Sequence, residues 1–235
     1  MPIGVLSRIP TSVSRNGTCK SNLRGASPSA PYDYAAPSRT FTVGAALGSI
    51  STAGAGDWSN TITRAYDNTD AEGDATILYS PLLSNAKNGT LLFRMNINPL
   101  PTPPGLQFIF TNGLSNGYGI YLTYDEVAVE TFEYNLHFGR QQDASDSWVK
   151  LNSSPLSDST WYQYSIRFTT PLPKTFVDAY QNGTQTVTTA QLDAMTTPTN
   201  KTTLMGFFGR LTDFAFLEAE LSDSELAAFG TAPYI

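Results

Sequence analysis

Three groups of side chains in this sequence are of types that do chemistry. The first is acidic: the run Asp125-Glu126-Val127-Ala128-Val129-Glu130 sets Glu126 and Glu130 at an even spacing. Along a strand, even spacing puts both on one face, where two carboxylates can divide the nucleophile and acid roles of glycoside hydrolysis. The competing reading, favoured here, is a solvated acidic edge opposite buried Val127 and Val129. The second group, Asp67-Asn68-Thr69-Asp70-Ala71-Glu72-Gly73-Asp74, packs four carboxylates into eight residues. Asp67, Asp70 and Asp74 could supply the oxygen ligands that calcium takes, though the spacing is not that of an EF-hand loop and the favoured reading is a solvated polar turn. Asp143, Asp146 and Asp158 form a weaker second acidic set. The third group is Trp148 with Arg140 and Gln142 in the stretch Gly139 to Thr160. An indole beside hydrogen-bonding side chains suits a sugar, whose CH face is apolar and whose edge is polar. The alternative is that Trp148 anchors its loop to the body of the protein.

Other chemistries are poorly supplied. His137 is the only histidine, which excludes multi-histidine metal sites, and between Leu136 and Phe138 in a strand it faces away from both. Cys19 is the only cysteine, so no intramolecular disulfide forms. The sequence has no Gly-Lys-Ser/Thr phosphate loop. The expectation is a protein that is not an enzyme and requires no cofactor, with calcium as an optional one.

The elements that must position these residues are strands. Charged residues make up 14% of the chain and aromatics 12%, a mix that favours short strands and polar turns over charged helices. Strand-like runs occur at 76–79, 90–97, 106–110, 118–123, 127–132, 134–138, 161–168, 175–180, 184–188, 204–208 and 214–217. Asn182-Gly183 marks a hairpin, because both turn positions need positive φ. The Pro-rich Asn98 to Gly105 cannot pair in a sheet. Trp161 reads as a core residue opening a central strand. One helix is signalled near the end: Ser222, Glu225 and Gly230 are N-cap, capping-box partner and stop, and Leu221, Leu226 and Phe229 give it an apolar side that plugs the sandwich edge.

Residues 1–60 are polar, small and mostly irregular, and read as an extended N-terminal arm or linker, with residues 61–235 as the domain. Trp58 could clamp the arm to that domain. Residues 1–40 carry five cations and one acid, a net +4, while the other 195 residues carry nine cations and nineteen acids, a net −10. An acidic body repels nucleic acid. No apolar run suggests a signal peptide or membrane insertion. Five Asn-x-Ser/Thr sequons, at Asn16, Asn88, Asn152, Asn182 and Asn200, are adequately explained by composition.

The order of elements resembles the laminin-G-like, concanavalin A-like lectin and glucanase superfamily over roughly residues 62 to 230. The resemblance rests on Ala65-Tyr66-Asp67-Asn68-Thr69-Asp70, Phe93–Pro99, Asn116–Leu122, the strand opened by Trp161, and the closing Gly206–Phe216 followed by Ala219–Leu226. It implies an all-β, two-sheet antiparallel jelly-roll sandwich with one short C-terminal helix. Glycosidases of the superfamily alternate Glu-x-Asp-x-Glu, and Ala128 stands where the middle Asp would be, which argues against catalysis. The fold also carries lectins, adhesion modules and virion proteins. Two functions are expected: a structural or accessory virion protein, of bacteriophage type, held to other copies or other subunits by residues 1–60; or an extracellular glycan-binding adhesion module that attaches to host surfaces.

Overall fold

The computed structural model describes residues 19–23, 41–43, 47–50, 65–68, 77–79, 88–99, 106–112, 118–128, 131–140, 147–170, 174–193 and 202–231. They form two antiparallel sheets and one helix, an all-β sandwich as expected. In chain order the strands are β1 Cys19–Leu23, β2 Phe41–Val43, β3 Leu47–Ile50, β4 Ala65–Asn68, β5 Ile77–Tyr79, β6 Asn88–Ile97, β7 Gln107–Asn112, β8 Tyr118–Ala128, β9 Thr131–Arg140 and β10 Ser147–Lys150. They continue with β11 Trp161–Thr169, β12 Lys174–Gln181, β13 Thr184–Asp193, β14 Thr202–Gly206 and β15 Gly209–Leu217, and the helix α1 is Asp223–Thr231.

The larger sheet runs β13-β12-β11-β6-β15-β4-β3, with β1 also paired to β15. The smaller runs β10-β9-β8-β7-β14-β5-β2. Between them lies one apolar core, because alternate residues of each strand point inward. Phe93, Met95, Tyr164, Ile166 and Phe168 come from the larger sheet, and Phe110, Tyr118, Ile120, Leu136 and Phe138 from the smaller. The rings interlock across the gap, as Phe110 against Phe214 and Tyr118 against Phe168 illustrate.

Several local expectations are met for local reasons. Asn182 and Gly183 both take positive φ, 49° and 80°, in the tight turn between β12 and β13. Ser222 and Glu225 make the reciprocal capping box, with the Ser222 amide donating to Glu225 Oε2 at 2.9 Å. No helix among the described residues is long and apolar enough to cross a membrane.

Other expectations are corrected. The helix covers the outer face of the larger sheet and not its edge: Leu221, Leu226 and Phe229 pack with Leu92, Tyr180, Ala215 and Leu217 in a second, smaller core. Trp161 is outside the inter-sheet core and half-buried, because Tyr162, Tyr164 and Ile166 take the inward positions of β11. No strand break occurs at Asp125-Glu126; β8 continues to Ala128, pairing Asp125 with Glu133 and Glu126 with Phe132. Polar side chains on a solvated face leave the backbone ladder intact. Val127, expected to be buried, is 52% exposed. It occupies a register shift between Glu126 and Ala128 at the hairpin tip, where no partner surface covers it.

The expected boundary at residue 60 does not separate the sheets. β1, β2 and β3, all from within the first 60 residues, pair with β15, β5 and β4. Backbone pairing of this kind uses N–H and C=O groups common to every residue, so composition gives no sign of it. Trp58 lies outside the described residues.

Candidate functional site

The outer face of β8, β9 and β10 gathers aromatic and hydrogen-bonding side chains on consecutive rungs. Tyr118, Ile120 and Leu122 point into the core, so Gly119, Tyr121, Thr123 and Asp125 point out. On β9 the same parity turns Glu133, Asn135, His137 and Gly139 outward, and on β10 Trp148 and Lys150. Cross-strand register completes the map. Gly119 and Trp148 both pair with Gly139, Tyr121 and Lys150 both pair with His137, Thr123 pairs with Asn135, and Asp125 pairs with Glu133.

Trp148 lies parallel to Tyr121, ring centroids 5.2 Å apart and planes 1° from parallel. His137 tilts against the indole at 5.4 Å and 48°. Tyr121 is buried, 2% exposed, whereas Trp148 is half-buried. Gly119 makes the stack possible: a Cβ there would meet the Tyr121 Oη at 2.8 Å and the Phe110 carbonyl at 2.7 Å. Trp148 was expected in a long loop; β10 instead makes it part of an edge strand, tied to the sheet by backbone pairing as well as by its ring.

The polar part of the face is built from hydrogen bonds. Thr123 Oγ1 and His137 Nε2 lie 3.0 Å apart. Asn135 Nδ2 donates to Asp125 Oδ2 at 3.4 Å. Burial, and next the Lys150 ammonium, lower the His137 pKa from its ordinary 6.5, with Asp125 opposing. Both effects favour the neutral imidazole.

Asn152 supports this face from behind and is itself a sequon residue. It is 4% exposed; its Oδ1 accepts from the Leu136 amide at 2.7 Å, and its Nδ2 donates to Ser154 O at 2.7 Å and Asn135 Oδ1 at 3.1 Å. Its amide is closed to glycosylation in the folded chain, whereas Asn88 and Asn182 are exposed. Asn152→Ala strands the Leu136 amide and the Ser154 carbonyl, and is expected to cost about 2 kcal/mol of stability. Urea unfolding of the variant would check that value, as a lowered midpoint with an unchanged slope.

The other expected site residues are less concentrated. Arg140 ends β9 opposite Ser147, with a side chain outside the description, and Gln142 lies outside it altogether. Of the acidic turn, Asp70 and Asp74 lie outside it too. Asp67 is 6% exposed, and its Oδ1 accepts from Arg210 Nε at 3.2 Å and Asn98 Nδ2 at 3.3 Å. A guanidinium already occupies the position a cation would take on that oxygen. Among the described residues, no cluster of three His, Cys, Asp or Glu side chains could hold a metal ion. Glu126 is exposed at the hairpin tip, where the shift at Val127 breaks the alternation that a carboxylate pair would need; Glu130 is outside the description. On the larger sheet, Arg94 Nε donates to Gln163 Oε1 at 2.9 Å, but both residues are 2% exposed or less and offer no open surface.

Sequence reasoning missed Tyr121, His137, Thr123, Asn135 and Lys150 as neighbours of Trp148. The signal was present only as strand parity, and it needed the β8–β9–β10 register to become a site.

No protein-family model matches the chain, and no curated protein matches it. Solved structures do. The binding domain of Paraclostridial Mosquitocidal Protein 1 aligns with a TM-score of 0.60 at 13% identity, over 91% of this chain and 52% of that one. The botulinum neurotoxin type G receptor-binding domain aligns at 0.60 and 12%, over 89% and 50%. Trypanosoma rangeli sialidase, in complex with 2,3-difluorosialic acid, aligns at 0.54 and 15%, over 94% and 33%. The chain thus spans about half the length of the first two chains. At these identities the similarity is one of fold.

Proposed function

We propose that the chain is a non-enzymatic, lectin-like module that binds a glycan on the outer face of β8, β9 and β10. The observation that carries this reading is the half-buried indole of Trp148 laid flat on Tyr121, beside the His137 imidazole and, one rung further, the Thr123 hydroxyl. An aromatic plane takes the CH face of a pyranose, and side chains already ordered on rigid strands receive its hydroxyls at little entropic cost. Two fold neighbours, a binding domain and a receptor-binding domain, support a binding role for such a sandwich.

For residues 1–60, the pairing of β1, β2 and β3 with the chain's own sheets favours a self-contained module over an arm docked on virion subunits. The setting we propose is attachment at a glycan-bearing surface outside the cell.

Glycan-array binding with calcium and again with chelator tests the reading. Binding is expected in both conditions and at equal strength, because the aromatic face needs no ion and Asp67 is engaged by Arg210. Loss of binding with chelator would move the site to the acidic turn at Asp67 to Asp74. Silence in both conditions would remove the glycan reading.

A further inference from the structure

Resting on that glycan reading, we propose that the ligand is an acidic saccharide whose carboxylate or sulfate is taken by Lys150 and His137 while its sugar ring lies on Trp148.

Placement is the first argument. Lys150 and Trp148 lie on the same face of β10, two residues apart, so their positions are about 7 Å from each other along the strand. Lys150 pairs across from His137, which pairs across from Tyr121, so the ammonium stands one rung from the indole. A sugar on the indole has its ring substituents within reach of a four-carbon lysine stem. The face is also graded in charge. Lys150 and His137 stand at the aromatic end, whereas the Asp125 and Glu133 carboxylates lie two rungs further along β8 and β9, toward the hairpin tip.

Availability is the second. Among the residues whose side chains are described, the other exposed or half-exposed cations already have acidic partners: Arg167 with Asp178 and Asp223, Lys174 with Asp193, and Arg210 with Asp67. Lys150 is exposed and no described carboxylate lies in ion-pair contact with it. In a chain with twenty acids and fourteen cations, an ammonium that no described carboxylate pairs, beside an aromatic plane, fits an anionic ligand.

The groups acting on His137 give the arrangement a pH dependence. Lys150 on β10 opposes its protonation, Asp125 on β8 favours it, and Thr123 and Trp148 pack against it without charge. An anion placed between Lys150 and His137 offsets the ammonium and raises the imidazole pKa. The complex then binds more protons than the free protein. By linkage, affinity rises as pH falls through the imidazole pKa of the complex and levels off once the free imidazole is itself protonated.

The test compares glucuronate-terminated and sulfated oligosaccharides with their neutral parents, by calorimetry at pH 7.5 and 5.5, on wild type, Lys150→Gln and Trp148→Ala. Wild type is expected to prefer the acidic member by about tenfold, more at pH 5.5, the size of one charge-assisted contact. Lys150→Gln should erase the preference, and Lys150→Arg should restore it. Preference for the carboxylate alone, or for the sulfate alone, identifies which anion is read. Equal affinity for acidic and neutral members, or an acidic preference that survives Lys150→Gln, overturns this proposal and leaves the glycan reading standing. No saccharide binding by wild type, or binding untouched by Trp148→Ala, overturns both.

Discussion

Trp148→Ala is expected to weaken glycan binding by about 2 kcal/mol, roughly 30-fold, in line with removal of a central aromatic anchor. The same substitution should leave the sandwich folded. Trp148 stands on the edge strand β10, is half-buried, and lies outside the inter-sheet core. Its stack on Tyr121 contributes about 1 kcal/mol, as such pairs do. Trp148→Phe keeps a plane and should recover part of the affinity. Calorimetric titration of the three proteins with an array-positive glycan separates these outcomes from unfolding, because the near-ultraviolet signal of the core aromatics reports the fold independently. A Trp148→Ala protein that binds as wild type does would remove the indole from the site.

The second large effect concerns the joint between the two sheets. Asn68→Ala is expected to cost about 2–3 kcal/mol, because it strips donors from two buried carbonyls at once. Asn68 is 1% exposed, and its Nδ2 donates to Met205 O at 3.2 Å and Phe207 O at 2.9 Å. These carbonyls belong to the crossing from β14 to β15, where the chain leaves the smaller sheet for the larger. Met205, buried in the core, takes φ 66° there, a left-handed conformation that a non-glycine side chain resists. Asn98 and Gln107 hold the same crossing: the Asn98 amide donates to Phe208 O at 3.2 Å, and the Phe208 amide donates to Gln107 Oε1 at 2.8 Å. With Asn68 gone, the crossing loses two of the hydrogen bonds that offset the strain at Met205. For a chain of this length the loss corresponds to a fall in Tm of roughly 4–12 °C. A melting scan of the purified variant measures it. A fall of only a degree or two would mean that Asn98 and Gln107 hold the crossing without Asn68.

What could be read from the sequence follows the range of each signal. Asn182-Gly183 and the Ser222–Glu225 box were legible because each is complete within a few residues and its geometry is dictated locally. Two sheets followed from the alternation in runs such as Tyr162-Gln163-Tyr164-Ser165-Ile166, which carries its own inward and outward faces. Trp148 was legible as a residue of interest but not as part of a site. Its neighbours Tyr121 and His137 come from two other strands, and a slip of one residue in either pairing would have put them in the core. The three N-terminal strands were hidden because backbone pairing leaves no trace in side-chain composition. Val127 was misread because the alternation holds only as long as the register does, and the shift at the hairpin tip ends it.

The measurement closest to the central claim uses the single histidine of the chain as its reporter. His137 lies 5.4 Å from the Trp148 ring and 3.0 Å from the Thr123 hydroxyl, and its imidazole signals in a nuclear magnetic resonance spectrum have no counterpart elsewhere in the protein. Titrating an array-positive glycan into the labelled protein should shift those signals saturably, with the Kd found by calorimetry, and Trp148→Ala should abolish the shift. Saturable glycan binding that leaves the His137 signals in place would put the ligand elsewhere and contradict the account.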